Sequence, residues 1–142
     1  MKELLAAGLY IGVSGCSLKT KENMQVIKEI PLDRVLIESA SPHCDIRPAY
    51  ASYNMVKTRF PIKKFTQYNP EDKAQLEKDT LTKFRNEPCT IIQIIEVLSS
   101  LKSIPIITIC KATYENSVKL FKLNVKIKKV KKAPICKKKL SK

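Results

Sequence analysis

Apolar positions in the first third of the chain alternate between strand-like runs and a helix-like spacing. Residues 9–15 form a short apolar run that ends in a glycine-containing turn. Residues 21–30 carry apolar side chains at helical spacing, and Pro31 marks the end of that helix. Residues 35–37 are a second apolar run. This strand–helix–strand order predicts two parallel strands joined by a right-handed crossover.

The second half of the chain predicts helices separated by a long irregular segment. Residues 43–86 are irregular and proline-containing, apart from a short surface helix predicted over 71–83. Helical spacing predicts a strong helix over 90–101, which Pro88 begins, and a last helix over 104–121. The residues expected to be buried on these two helices are Ile91, Ile94, Ile95 and Leu98, then Ile109, Ala112, Val118 and Phe121.

The predicted elements indicate an α/β fold that two strands alone do not close. In such folds the chemistry lies at the carboxyl ends of buried parallel strands. Residues 35–37 run into Glu38 and a polar, proline-containing turn, so this tip is the first place to look for a site. A (β/α)8 barrel requires roughly 250 residues. We therefore expect the chain to represent the C-terminal part of a TIM-type barrel, with about two strands plus helices.

Length and composition suit one ordinary intracellular domain. The chain has 142 residues, 44% of them hydrophobic. No apolar run approaches the roughly 18 residues of a transmembrane helix, and the N-terminus does not resemble a secretory leader. The five scattered cysteines form no CxxC pair, so we expect reduced thiols in a cytoplasmic or nuclear protein, with no zinc site.

The formal net charge of +14 is concentrated at the C-terminus. Residues 122–142 contain ten of the 27 basic side chains and none of the 13 acidic ones. We expect a domain over 1–121 and a disordered lysine-rich tail over 122–142.

Four short motifs, taken in order, resemble one family. These are residues 8–12 (Gly-Leu-Tyr-Ile-Gly), 15–20 (Gly-Cys-Ser-Leu-Lys-Thr), 30–34 (Ile-Pro-Leu-Asp-Arg) and 85–88 (Arg-Asn-Glu-Pro). The set resembles the C-terminal part of TatD-type metal-dependent deoxyribonucleases, and the motif over 85–88 resembles their eukaryotic branch. The resemblance implies a (β/α)8 barrel with a two-metal site, Mg or Zn, that hydrolyses phosphodiester bonds in DNA. It also implies that residues 9–14 and 35–38 are the seventh and eighth strands.

The metal ligands implied by the family are missing here. The family has a His-x-His pair, a further Glu and two more histidines, whereas this chain has one histidine, His43. The family's eighth strand ends in Glu-Thr-Asp, so Ala40 occupies the position of the aspartate ligand. Glu38 is left as a lone candidate ligand, or as a hydrogen-bonded structural group. We therefore expect no intact metal site and no bound metal in this chain.

The remaining candidates for contact with substrate are His43, Arg85, Asn86 and Glu87. His43 can contact a phosphate or transfer a proton, or can simply be solvated. Arg85 can hold a phosphate bidentately, Asn86 can cap the following helix, and Glu87 can brace the loop. The alternative for Arg85, Asn86 and Glu87 is a purely structural loop at one end of a barrel, and the two roles are compatible.

The tail carries candidates for nucleic-acid binding, namely Lys126, Lys128, Lys129, Lys131 and Lys132. Such binding would be non-specific and salt-sensitive, and a solvated tail is the alternative. Two hypotheses follow from the sequence. The first is a truncated, diverged TatD-like deoxyribonuclease that is inactive as an isolated chain, and the alternative is a non-catalytic protein that binds nucleic acid or a partner through its basic tail. A third possibility is a fragment with no independent function, which we expect to be poorly soluble or oligomeric unless another chain supplies the missing barrel strands.

Overall fold

A computed structural model describes residues 1–63, 81–82 and 85–124 of the chain. The helices are α1 (Lys2–Ala6), α2 (Lys21–Lys28), α3 (Ile91–Lys102) and α4 (Ile106–Leu120), and the strands are β1 (Ile11–Val13), β2 (Val35–Ile37), β3 (Ile62–Lys63) and β4 (Leu81–Thr82). Short 3₁₀ turns cover Cys16–Leu18, Leu32–Arg34, Tyr53–Met55 and Pro88–Thr90.

Strands β1 and β2 pair in parallel, as the strand–helix–strand pattern predicts. Ile11 lies opposite Val35, and Val13 lies opposite Ile37. Helix α2 connects the two strands. Its N-cap is Thr20, whose hydroxyl accepts a hydrogen bond from the Asn23 backbone N–H. A parallel pair places the carboxyl ends of both strands at the same edge, so the loops that follow β1 and β2 adjoin each other.

Helices α3 and α4 pack against this pair of strands and form the core with it. The buried apolar residues are Val13, Leu18, Met24, Ile27, Ile30, Val35, Val56, Ile94, Ile95, Val97, Leu98 and Ile109. Asn116 of α4 anchors the strand region, because its side-chain amide donates to the carbonyls of Leu32 at 2.9 Å and Val35 at 2.8 Å. This buried amide therefore fixes α4 against the start of β2.

Several predicted boundaries need correction. Helix α2 ends at Lys28 rather than at residue 30, although Ile30 is buried. Helices α3 and α4 lie within the predicted 90–101 and 104–121 apart from Lys102, which extends α3 by one residue. The five-residue helix α1 was not predicted, since one turn has too few positions for a periodic pattern.

Phe121 was expected in the core and is instead 63% exposed. Helix α4 ends one residue earlier, and Phe121 lies about 120° around the helix from Ile109, at 3.6 residues per turn. The buried face of α4 consists of Ile109, Thr113 and Asn116. Ala112 and Val118 are half-buried beside this face.

The segment expected to be irregular contains short regular elements. Strands β3 and β4 pair in parallel, with Ile62 opposite Leu81. Residues 81–82 of the predicted surface helix therefore form a strand, and the Leu81 backbone N–H donates to the Pro61 carbonyl at 2.8 Å. Residues 71–80 and 83 of that predicted helix lie outside the described residues, as does the tail from residue 125 onward.

Within the described residues, no single helix is both long and apolar enough to cross a membrane. Pro88–Lys102 and Ile106–Leu120 satisfy the length and composition criteria only as a pair, and the pair is bent by 113°.

Candidate functional site

The candidate site lies where the loops that follow β1 and β2 meet the loop that precedes α3. The β1 loop and the β2 loop are in close contact at Gly15. A methyl group on Gly15 would lie 1.9 Å from the carbonyl oxygen of Cys44, so this position has room only for glycine. The turn predicted at Gly15 is therefore also a packing contact between the two loops.

The two cysteines of these loops are neighbours. Cys16, Cys44, Cys89 and Cys110 are free thiols. A hydrogen bond with Cys44, together with burial, raises the pKa of the Cys16 thiol above its ordinary value. A raised pKa favours the neutral thiol, so Cys16 is a weak nucleophile at neutral pH.

Asn86 joins the loop before α3 to the β2 loop. Its side-chain amide donates to the backbone carbonyls of Ser39 at 2.7 Å and His43 at 2.6 Å. Its backbone N–H donates to the Pro42 carbonyl at 2.9 Å. Asn86 is only 3% exposed, so these three bonds account for a buried polar residue that spans two loops.

The expectation that Asn86 caps a helix is wrong. The N-cap of the 3₁₀ turn Pro88–Thr90 is Glu87, and no side chain accepts a capping hydrogen bond from the first backbone N–H groups of this turn. The Asn86 side-chain oxygen instead accepts a hydrogen bond from the hydroxyl of Thr90. Asn86 lies one residue too early for capping, and its amide is already committed to the β2 loop. Pro88 does begin the helical segment, as predicted.

Arg85, Glu87 and His43 border the same region. Arg85 is exposed and Glu87 is half-buried, and both line an open pocket with Ser41 and Pro42. His43 is exposed, and its backbone rather than its imidazole bonds to the neighbouring loop. The structure thus brings the β2 loop together with residues 85–87. The predicted lysines of the tail lie outside the described residues, namely Lys126, Lys128, Lys129, Lys131 and Lys132.

Glu38 and Ala40 occupy the carboxyl end of β2. Glu38 is exposed, and its carboxyl carbon lies 3.6 Å from where a methyl group on Gly12 would be. Ala40 has a φ of 52°, in the left-handed region that alanine rarely adopts. The tip of β2 therefore offers one carboxylate and one methyl group.

This donor set does not fit a two-metal centre. Such a centre requires several histidine and carboxylate ligands that converge on the ions. The described residues contain no group of three or more His, Cys, Asp or Glu side chains that could hold a metal ion. Among the described residues, Glu38 therefore has no neighbouring ligands with which to complete the two-metal site that the resemblance implies.

Sequence reasoning did not identify Glu96, a buried carboxylate on α3. Its oxygens accept hydrogen bonds from the backbone N–H groups of Lys57 at 2.8 Å and Thr58 at 3.0 Å, and from the Thr58 hydroxyl at 2.6 Å. Burial alone would raise the pKa of Glu96, but these hydrogen bonds outweigh burial and lower that pKa below its ordinary value. A charged residue on the apolar face of a strongly predicted helix was the feature that could have identified it.

Comparison with known proteins identifies the family of this chain. Residues 1–122 match the family model described as "TatD related DNase". "Deoxyribonuclease Tat-D" of Schizosaccharomyces pombe is 35% identical over 120 residues, a match that covers 84% of this chain and 36% of that relative. The chain therefore spans only about a third of that relative's length.

Two solved structures also resemble the chain. An uncharacterized amidohydrolase from Saccharomyces cerevisiae superposes with a TM-score of 0.75 and 32% identity, over 84% of this chain and 36% of that one. A hydrolase TatD family protein from Entamoeba histolytica gives 0.72 and 31%, over 84% of this chain and 37% of that one. These neighbours imply a TIM-barrel-type fold, of which this chain shows a partial sheet with its helices. Since the family model spans nearly all of the described residues, the chain belongs to the TatD-related DNase family.

Proposed function

We propose that this 142-residue chain provides the DNA-binding side of a TatD-type deoxyribonuclease and does not hydrolyse DNA by itself. The single observation that carries the proposal is Ala40 at the carboxyl end of β2. The family is a group of metal-dependent hydrolases, and the resemblance assigns a carboxylate ligand to this position. A methyl group has no lone pair to donate to a divalent cation.

The chemistry of the family supports the same proposal. Metal-dependent phosphodiester hydrolysis uses bound ions to generate a hydroxide nucleophile and to stabilise the charge that develops on the phosphate. His43 is the chain's one histidine, and it is exposed in the β2 loop. The exposed Glu38 is the remaining carboxylate at the tip of β2. The chain does have the β2 loop that Asn86 fixes and the exposed Arg85 beside it. Such a guanidinium group can bind a phosphate without cleaving it.

A cleavage assay tests this proposal. The purified chain is incubated with a labelled DNA oligonucleotide and Mg²⁺, with and without EDTA, after a cooperative urea transition has shown that it is folded. We expect no cleavage above the buffer control. The Ala40→Asp variant should be equally inactive, because one added carboxylate does not supply the missing histidines. Cleavage by the chain that requires Mg²⁺ and stops with EDTA would overturn the proposal.

The lysine block supports a second candidate function, non-catalytic binding of nucleic acid through the tail. Phosphate neutralisation by clustered lysines gives affinity that falls steeply with salt. Replacing the five lysines with glutamine tests it, and the residues to change are Lys126, Lys128, Lys129, Lys131 and Lys132. If the tail carries the affinity, binding to DNA at physiological salt should be lost. Unchanged binding would show that the tail is not the binding element.

A further inference from the structure

Three arginines converge on a cleft beside the site already described. The cleft lies between the loop that contains Arg47, the segment that contains Arg59, and Arg85 before α3. Its volume is about 180 Å³. Pockets for drug-sized ligands occupy roughly 300–1,000 Å³, so this cleft suits a small group such as a phosphate.

The charge of the cleft favours an anion. Asp45 is the one acidic side chain among the described residues that line the cleft, and it pairs with Arg47 at 3.2 Å. Arg59 and Arg85 form no ion pair with another described residue. The described lining residues therefore carry more positive than negative charge, and the positive charge is on planar guanidinium groups, which bind phosphate oxygens bidentately.

The guanidinium of Arg59 is held in place. It lies 4.0 Å from the centre of the Tyr53 ring, and its Nη2 donates to the Tyr53 carbonyl at 2.9 Å. Holding the side chain in advance reduces the entropy that binding would cost. No other described residue bonds to the remaining N–H groups of this guanidinium.

Hydrogen bonds fix the backbone on both sides of the cleft, from the N-terminal half of α3 on one side and from Asn86 on the other. Glu96 binds the N–H groups of Lys57 and Thr58, and Gln93 donates to the Thr58 carbonyl at 3.0 Å. These bonds immediately precede Arg59 in the chain. On the other side, the buried Asn86 fixes the backbone next to Arg85. Glu96, Gln93 and Asn86 are therefore positioning residues for the arginines.

We propose that Arg47, Arg59 and Arg85 form a site for a backbone phosphate of a nucleic-acid strand. The inference rests on the proposed function, since it identifies which residues hold the DNA. Asn86 lines both this cleft and the pocket beside the β2 loop. A strand that places one phosphate on the arginines can therefore run on toward the tips of β1 and β2.

Fluorescence anisotropy with a labelled single-stranded 12-mer of DNA tests the site, in EDTA and over a range of salt concentrations. Arg59→Ala and Arg85→Ala should each weaken binding about tenfold, since loss of a hydrogen bond to a charged group has roughly this effect. Each should also reduce the slope of log affinity against log salt by about 0.7. Arg59→Lys should recover less than half of the affinity that Arg59→Ala loses, because lysine restores the charge without the paired N–H donors of the guanidinium group.

Lys119→Ala is the matched control, because it removes one exposed cation from the last turn of α4. Its affinity should stay within about twofold of the unaltered chain, as expected for a cation that contacts no phosphate. Urea midpoints show whether Arg59→Ala also unfolds the chain through loss of its contact with Tyr53. Because the side chain of Arg85 is exposed, Arg85→Ala should stay folded and tests the site even if Arg59→Ala unfolds.

Three outcomes would contradict the site. If both arginine variants bind like Lys119→Ala, the cleft does not hold the strand. If the arginine variants lose affinity for inorganic phosphate but bind the 12-mer like the unaltered chain, the ligand of the cleft is a free phosphate and not a strand. If only glutamine substitution of the tail lysines weakens binding, the affinity resides in the tail. The binding assay contains EDTA, so it measures affinity without hydrolysis. If the separate cleavage assay detected hydrolysis, the proposed function would be wrong, but the measured effect of the arginine variants on binding would still hold.

Discussion

The carboxylate of Glu96 on α3 accepts hydrogen bonds from both the backbone N–H and the hydroxyl group of Thr58, at 3.0 and 2.6 Å. This buried charge is thus stabilised chiefly by hydrogen bonds from the loop, with a smaller electrostatic contribution from Lys57 of the same loop. The adjacent residues of the same helical segment, Thr90 and Gln93, also bond to other parts of the site. One side of α3 therefore organises both loops that border the arginine cleft.

Replacing Glu96 with alanine should destabilise the chain. The N–H groups of Lys57 and Thr58 would lose a charged acceptor, which costs about 1.5–3 kcal/mol in the free energy of unfolding. Urea denaturation followed by circular dichroism measures this change. Glu115→Ala is the control, because its side chain is 62% exposed and forms only a surface pair with Lys111. Equal stability of the two variants would contradict the anchoring role of Glu96.

The contribution of Glu96 should also depend on pH. Its hydrogen bonds hold the pKa below the ordinary value despite burial, so the folded state favours the charged form. The stabilisation is then fully present above the unfolded pKa of about 4.3 and is lost as the pH falls through the folded pKa. The stability difference between the unaltered chain and Glu96→Gln should shrink across this interval. A difference that grows on acidification would contradict the account.

Replacing Asn86 with alanine should separate the loop before α3 from the β2 loop. The carbonyls of Ser39 and His43 would lose their shared donor, and the loss of each hydrogen bond costs about 0.5–1.5 kcal/mol. Hydrogen exchange should then be faster at the Asn86 backbone N–H, which donates to Pro42. Asn54→Ala, at an exposed position in the 3₁₀ turn Tyr53–Met55, should leave both the stability and this exchange rate unchanged.

The elements that sequence predicted best are those whose own side chains determine them. Strand β2 was predicted at 35–37, its observed bounds, because three consecutive apolar residues there are followed at once by polar ones. Helix α3 was predicted to within about one residue, because four isoleucine and leucine residues share one face. Such local patterns need no knowledge of the rest of the chain.

The features that sequence missed depend on partners far along the chain. The bonds of Asn86 to Ser39 and of Glu96 to Thr58 span 47 and 38 residues. No spacing rule connects residues at such separations, so the sequence predicts for Asn86 only a contact with substrate or a helix cap, and it predicts no role for Glu96. Strands β3 and β4 have only two residues each, and their pairing follows from tertiary contact rather than from a pattern.

Gly15 should be intolerant of any side chain. A methyl group there would meet the Cys44 carbonyl at 1.9 Å, so the two loops would have to move apart. Overpacking of this kind costs about 1–3 kcal/mol, and we expect Gly15→Ala to lower the urea midpoint accordingly. At Gly12 the same methyl group would meet only the end of the Glu38 side chain, at 3.6 Å. Gly12→Ala should therefore be much milder, and equal losses in the two variants would contradict the packing contact.

Ala40 should be replaceable by glycine with a gain in stability. The left-handed conformation costs an L-residue about 1–2 kcal/mol and costs glycine nothing comparable. Part of this gain is offset by the greater freedom of glycine in the unfolded chain, so we expect a net gain of up to about 1 kcal/mol. Ala49→Gly, at an exposed turn position without a positive φ, should not stabilise the chain. Thermal unfolding of both variants measures the difference, and stabilisation by Ala49→Gly alone would contradict the argument.

The central claim is that the tip of β2 in this chain no longer holds the metal ions on which the family's hydrolysis depends. Titration of the folded 142-residue chain with Mn²⁺, followed by the electron paramagnetic resonance of the free ion, tests the claim most directly. The account predicts that micromolar Mn²⁺ stays free, both for the unaltered chain and for Glu38→Gln. Two tightly bound Mn²⁺ ions per chain, released by Glu38→Gln, would contradict it.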